Sequence, residues 1–431
     1  MKKLLIENAE EVLQIVDKGQ RFLTKDDMKK LAAICRSGPK DGVSLVVDEH
    51  GKIEMIGRDS DIRKAYPDKS IFERVISAEG KCLVPGLIDG HTHPVWAGDR
   101  VHEFAMKLAG ATYMEVHEAG GGINFTVDHT RNASEEDLTD SFSKRLHRML
   151  RAGTTTVECK SGYGLNLETE LKMLRVIENG RKKVPIEISS TYCGAHSVPK
   201  GTTAEEATSD IISHQIPRII KENMSGTLSV ENTDVFCEKG VFNVEQSKRI
   251  LEAGQQKGLT INFHGDELNP LGGAEMGASI SARAISHLEE VSGQGIKDMA
   301  ASSTAAVILP TTAYMLRLKN PPVREMIEAG VIVALGSDFN PNAFCLSMSM
   351  VMHLACVDQR MSLEEAIVAS TLNSAYSLNR SSTHGSLEPG KEADFLIVNA
   401  PKWEHLIYQF GGHSDIIEHV IKTGTIVYSY K

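Results

Sequence analysis

Apolar positions along this chain fall into three zones with different rhythms. Near the start, Val43-Ser44-Leu45-Val46-Val47-Asp48 and Ile53-Glu54-Met55-Ile56-Gly57 are separated by the polar, glycine-containing Glu49-His50-Gly51-Lys52. That arrangement predicts a β-hairpin. At the far end, residues 393–398 and 420–427 again predict strands. Between these zones eight apolar or small-residue runs recur, at 83–88, 154–157, 186–190, 234–236, 260–263, 284–286, 305–309 and 331–335. Unbroken apolar character of this kind marks strands buried on both faces. Helical periodicity occupies several of the gaps. Leu167, Leu171, Leu174 and Ile177 share one helical face with Gly180 as the expected stop, and Asn243 with Gln246 makes a capping box before Ile250 and Leu251.

Eight strands alternating with helices predict an α/β fold, the (β/α)8 TIM barrel. A doubly wound sheet is the alternative, but no G-x-G-x-x-G follows the first run. The two β-rich ends predict one small β-sandwich assembled from both termini, since chain ends commonly meet. The expected division is 1–83 and 383–431 for the two parts of the sandwich and 84–382 for the barrel.

Composition removes several classes of function. A formal net charge of -10 argues against nucleic acid as a partner. It leaves room for a small anionic substrate, because one local arginine outweighs a distant mean field inside a pocket. The seven cysteines form no C-x-x-C pair, the pattern of reduced intracellular thiols. Glu7 interrupts the only apolar run near the start, and no stretch is long enough to cross a bilayer. The expected address is cytoplasmic, with no membrane partner.

In a barrel, chemistry collects where strands end. The first run ends in Asp89-Gly90-His91-Thr92-His93, and residues two apart in extended chain point the same way, so His91 and His93 both face the barrel mouth. The fifth run ends at His264 and the eighth at Asp338. Three imidazoles and a carboxylate at one rim, without a cation, would carry a heavy desolvation penalty. One divalent metal is therefore expected on His91, His93, His264 and Asp338, zinc first, with iron and manganese also accepting these donors. His287, after the sixth run, reaches the same rim. Glu267, three residues past His264, is placed to shuttle a proton without being a ligand.

This constellation resembles the amidohydrolase superfamily, carried by Val84-Pro85-Gly86-Leu87-Ile88-Asp89-Gly90-His91-Thr92-His93, by His264, His287 and Asp338, and by the closing stretch from Gly385 to Asp394. The resemblance covers nearly the whole chain and implies a barrel with a flanking sheet domain. Four further stretches, 93–100, 118–123, 158–164 and 191–199, are similar to the branch that opens a five-membered imidazolone ring bearing a propionate to give formiminoglutamate. That likeness implies catalytic roles for Glu267, His287 and Asp338, and substrate contacts from Arg100, Tyr163, His196, Glu267, Asn340 and Asn342. Asn342 stands where many relatives carry Gly, so the turn there is expected to use asparagine's tolerance of positive φ. Lys160 draws notice because some relatives bridge two metals with a carbamylated lysine, but that bridge follows the fourth strand, where this chain has Glu238. One metal is expected. Gly120-Gly121-Gly122 lacks the continuation of a phosphate loop and reads as a cover over substrate. The competing readings are a ring deaminase of the guanine or cytosine type, a non-catalytic barrel and a mononuclear iron oxygenase. A homodimer is expected, as large barrels of this kind often pair.

Overall fold

A computed structural model describes residues 1–110 and 121–430. Eight parallel strands pair in chain order: β1 (Leu87–Asp89), β2 (Thr154–Lys160), β3 (Glu187–Ala195), β4 (Val230–Cys237), β5 (Thr260–Gly265), β6 (Ala284–His287), β7 (Ala305–Ile308) and β8 (Ile332–Leu335). The ring closes between β8 and β1, where Gly90 N donates to Leu335 O at 3.2 Å and Thr92 bridges Phe339 in parallel register. Helices pack outside, as at Glu135–Arg151 and Leu167–Lys183, and the eight-strand expectation holds.

Three local expectations change. Residues 83–88 are not one strand. Cys82–Pro85 pairs with Phe395–Val398 in the terminal sheet, and β1 begins only after Gly86. A Cβ at Gly86 would overlap the side chain of Thr155, so the chain passes against β2 there and changes sheet. Gly180 does not stop its helix, which runs on to Lys183. Its missing side chain instead makes room for the ring of Phe142, which occupies the place a Cβ would take. Residues 420–427 are a hairpin and not one strand, Ile417–Lys422 and Thr425–Ser429 joined at Thr423 (φ 49°) and Gly424 (φ 70°). Two consecutive positive φ values are the tight turn that matches strand twist. The capping box at Asn243 and Gln246 is present as expected.

Both chain ends meet beside the barrel. A four-stranded sheet uses strands from Leu4 to Ser77, and a six-stranded sheet interleaves N-terminal strands with Phe395–Val398 and the final hairpin. Leu4, Ile6, Val43, Leu45, Val47, Leu83, Phe395 and Ile421 pack between them as one apolar core. All seven cysteines are free, and among the described residues no helix is long and apolar enough to cross a membrane.

Candidate active site

The carboxyl ends of the strands open into a cleft of about 1180 Å³ lined by, among others, His93, Tyr163, His196, Glu267, His287 and Asp338. At its floor the four expected ligands meet. His93 Nε2 lies 3.2 Å from His91 Nε2 and 3.1 Å from His264 Nε2. Asp338 Oδ1 lies 3.5 Å from His91 Nε2 and 3.6 Å from His93 Nε2. Donors about 2.0–2.1 Å from one cation stand about 3.3 Å apart, and these four separations lie close to that value.

Neighbouring groups hold the far nitrogens of His264 and His91, while His93 Nδ1 has no hydrogen-bond partner among the described residues. Asp234 accepts from His264 Nδ1 at 2.9 Å and from His264 N at 3.2 Å. Burial opposes ionisation of Asp234, yet His264 and Lys160 hold its carboxyl down to about 2. A carboxylate only accepts, so the proton of His264 sits on Nδ1 and its Nε2 offers a lone pair. His91 Nδ1 is paired with Ser286 Oγ at 2.8 Å. Burial, with Lys160 adding for His91 and His196 for His93, holds both rings well below the usual histidine range, in the neutral form that binds metal. A cation between these neutral rings would accept a lone pair from each of the converging nitrogens. On Asp338, Oδ2 accepts from Thr312 Oγ1 at 2.5 Å, and its backbone (φ 47°) takes the left-handed form that turns the carboxylate inward.

Beside this corner lies a second group. His287 Nε2 is 3.5 Å from Glu267 Oε2, and His287 Nδ1 is 3.7 Å from Glu289 Oε2. Burial pushes Glu267 up to about 7, with His287 opposing. Burial works against a charged His287, but Glu267 and Glu289 raise it to about 10. His287 itself has φ 79° and Leu288 φ 70°, strained backbone of the kind found at working sites. Asp266, just before Glu267, accepts from the backbone N–H groups of Leu271, Gly272, Gly273 and Ala274 and so fixes the loop.

The expected substrate contacts are placed as follows. Tyr163 and His196 wall the cleft beside the metal corner, with His196 stacked on His93 at 4.5 Å and its Nδ1 on Gly162 O at 3.1 Å. Arg100 lines the same cleft but donates Nε and Nη2 to Glu103 at 2.8 and 2.7 Å. Among the described residues, that leaves three of its five N–H donors for a ligand. Asn340 lines the cleft while its Oδ1 accepts from Asn342 N and Ala343 N, and its Nδ2 donates to Asp338 O. Among the described residues, that leaves one amide hydrogen for substrate. Asn342 also lines the cleft, but its φ is not positive; the left-handed residue of this turn is Asp338. Gly120 lies outside the described residues, whereas Gly122 N donates to Glu103 Oε1 at 2.8 Å.

Lys160 is fully buried with Nζ 2.7 Å from Asp234 and 2.8 Å from Glu158. Burial opposes its charge, but these two carboxylates hold it above the ordinary lysine range. An ammonium is not the neutral amine that forms a carbamate. Glu238 spends its oxygens on Lys239 N, Leu268 N and Asn269 Nδ2. Asp234, Ser286, Thr312, Glu103 and Glu289 support the site without having been expected from sequence. Of these only Glu103 had a local signal, its three-residue spacing from Arg100.

A model of the amidohydrolase family matches residues 82–427. A mouse relative named probable imidazolonepropionase is 61% identical over 99% of this chain and 98% of its own length. Among solved structures, a mutant atrazine chlorohydrolase of Arthrobacter aurescens, complexed with zinc and atraton, superposes with a TM-score of 0.74 at 16% identity, covering 99% of this chain and 95% of that one. A guanine deaminase of E. coli superposes with a TM-score of 0.67 at 17% identity over the full length of both chains.

Proposed function

This chain belongs to the amidohydrolase family, and from that premise we propose that it is an imidazolonepropionase, hydrolysing 4-imidazolone-5-propanoate to N-formimino-L-glutamate in histidine degradation. The observation that carries the reading is the convergence of His91, His93, His264 and Asp338 beside the Glu267–His287 pair. The metal is proposed to be zinc, which supplies Lewis-acid activation of water and of the ring carbonyl. Glu267 takes the proton of the attacking water and returns it to the leaving ring nitrogen. With its carboxyl near 7, it is matched to both transfers. His287, kept protonated between Glu267 and Glu289, donates an N–H to the carbonyl oxygen as negative charge grows there. Arg100 offers its remaining N–H donors to the propionate, while Tyr163 and His196 bound the ring. Asn340 adds one amide hydrogen. The chain is further proposed to work in the cytoplasm as a homodimer, with this small anion as its ligand.

The test is metal analysis and an ultraviolet assay of imidazolonepropionate consumption on one sample. The expected result is about one zinc per chain, as a single four-donor site requires, with formiminoglutamate as product. Ammonia release from guanine or cytosine, with imidazolonepropionate untouched, would replace this reading with the deaminase.

A further inference from the structure

Lys160 is a buried cation that the proposed reaction leaves unused. It ends β2, and its Nζ lies between Asp234 Oδ2 and Glu158 Oε1. Glu158 Oε1 is also held by Thr191 Oγ1 at 2.5 Å. Asp234 gives its other oxygen to His264. The backbone ties the same lysine to the other ligands: Lys160 N donates to Thr92 O at 3.1 Å, between His91 and His93, and Thr92 Oγ1 donates to Glu158 O at 2.5 Å.

We propose that Lys160 is a positioning residue for the metal corner, its ammonium pinning Asp234 Oδ2 so that Oδ1 holds His264 with Nε2 aimed at the cation. The inference rests on the reading of the four donors as a cation site. A carboxylate can rotate about its Cβ–Cγ bond, and the two hydrogen bonds from His264 to Oδ1 hold only one end of it. The ammonium at Oδ2 supplies the second fixed point. Without it, the buried carboxylates of Asp234 and Glu158 would face a common space with no cation between them, and Asp234 would relieve the repulsion by turning away from His264. Partners behind metal ligands set ligand orientation and affinity, and their loss typically weakens binding about 10–100-fold. Lys160 acts one step further back, through Asp234.

The test is zinc affinity by chelator competition, with no substrate present. Lys160→Met should weaken zinc binding about tenfold, and Asp234→Asn at least as much. Adding Lys160→Met to Asp234→Asn should cost nothing further, because the lysine acts through that carboxylate. Should Lys160→Met alone fail to fold, the double variant Lys160→Met with Glu158→Gln removes one charge of each sign. It should keep the tenfold loss, while Glu158→Gln alone stays within about twofold of the parent. Unchanged zinc affinity in the charge-balanced double variant, with only a lowered melting temperature, would reduce Lys160 to structural cement and overturn the proposal. So would full additivity with Asp234→Asn. If His264→Ala bound zinc as tightly as the parent, the cation-site reading would fall, and this proposal with it.

Discussion

The two ends of the barrel hold their polar groups differently. At the amino-terminal end, Arg380 donates to Glu187 at 2.9 Å and to both oxygens of Glu231 at 2.7 and 2.9 Å, and Lys422 pairs with Asp394. Each of these charges has an opposite partner. At the carboxyl-terminal end, imidazole nitrogens are pressed against one another, and His93 Nδ1, His287 Nδ1 and both Glu289 oxygens have no hydrogen-bond partner among the described residues. A fold tolerates unsatisfied buried polar groups where a ligand completes them. The contrast separates the end that holds the barrel together from the end that does chemistry.

That contrast breaks most visibly at the ligands. Asp338→Ala should lower turnover roughly a thousandfold or more, the scale of the charge stabilisation a metal supplies, and metal content should fall with it. Full metal occupancy in that variant would remove Asp338 from the ligand set. Glu267→Gln should keep the metal and lose roughly a hundredfold in kcat; near-normal kcat would end its role as proton shuttle. The pH profile of kcat/KM sharpens the same point. Glu267 must be deprotonated to accept a proton, so activity should rise with pH up to about 7 and then level. A bound dication favours the carboxylate and can only move that limb downward. His287 must stay protonated, so activity should fall again at high pH, at or below about 10 because the same dication disfavours the imidazolium. An acidic limb that persisted unchanged in Glu267→Gln would assign it to another group. The smallest effect on activity belongs to the opposite end. Arg380→Met should leave kcat within about twofold yet lower stability by about 2 kcal/mol, since it removes the hydrogen-bonded cation from two partly exposed carboxylates. A large fall in kcat without loss of melting temperature would show that the ends are not separate.

Much of this was legible in the chain because it follows local period. Both-face burial wrote the barrel strands as apolar runs, and extended geometry put His91 and His93 on one side. Sheet membership was harder to read: the run from Leu83 to Ile88 is apolar throughout, and only the strand pairing on either side of Gly86 reveals that it serves two sheets. Gly180 read as a stop because glycine ends helices, yet Phe142, 38 positions away in the chain, decides its role. The supports of the site were hidden for the same reason. Asp234, Ser286 and Lys160 come from β4, β6 and β2 and meet their partners only once the ring closes. At Arg100 and Asn340 residue type pointed to substrate contact, whereas Glu103 and the Asn340 turn take up much of their hydrogen-bonding capacity.

The central claim is tested most directly by X-ray absorption at the zinc edge on the purified, zinc-loaded protein. Three imidazole nitrogens and one carboxylate oxygen at about 2.0–2.2 Å are the predicted protein ligands, with a water oxygen completing a five-coordinate shell. A sulfur ligand at about 2.3 Å, or fewer than three imidazoles, would contradict it.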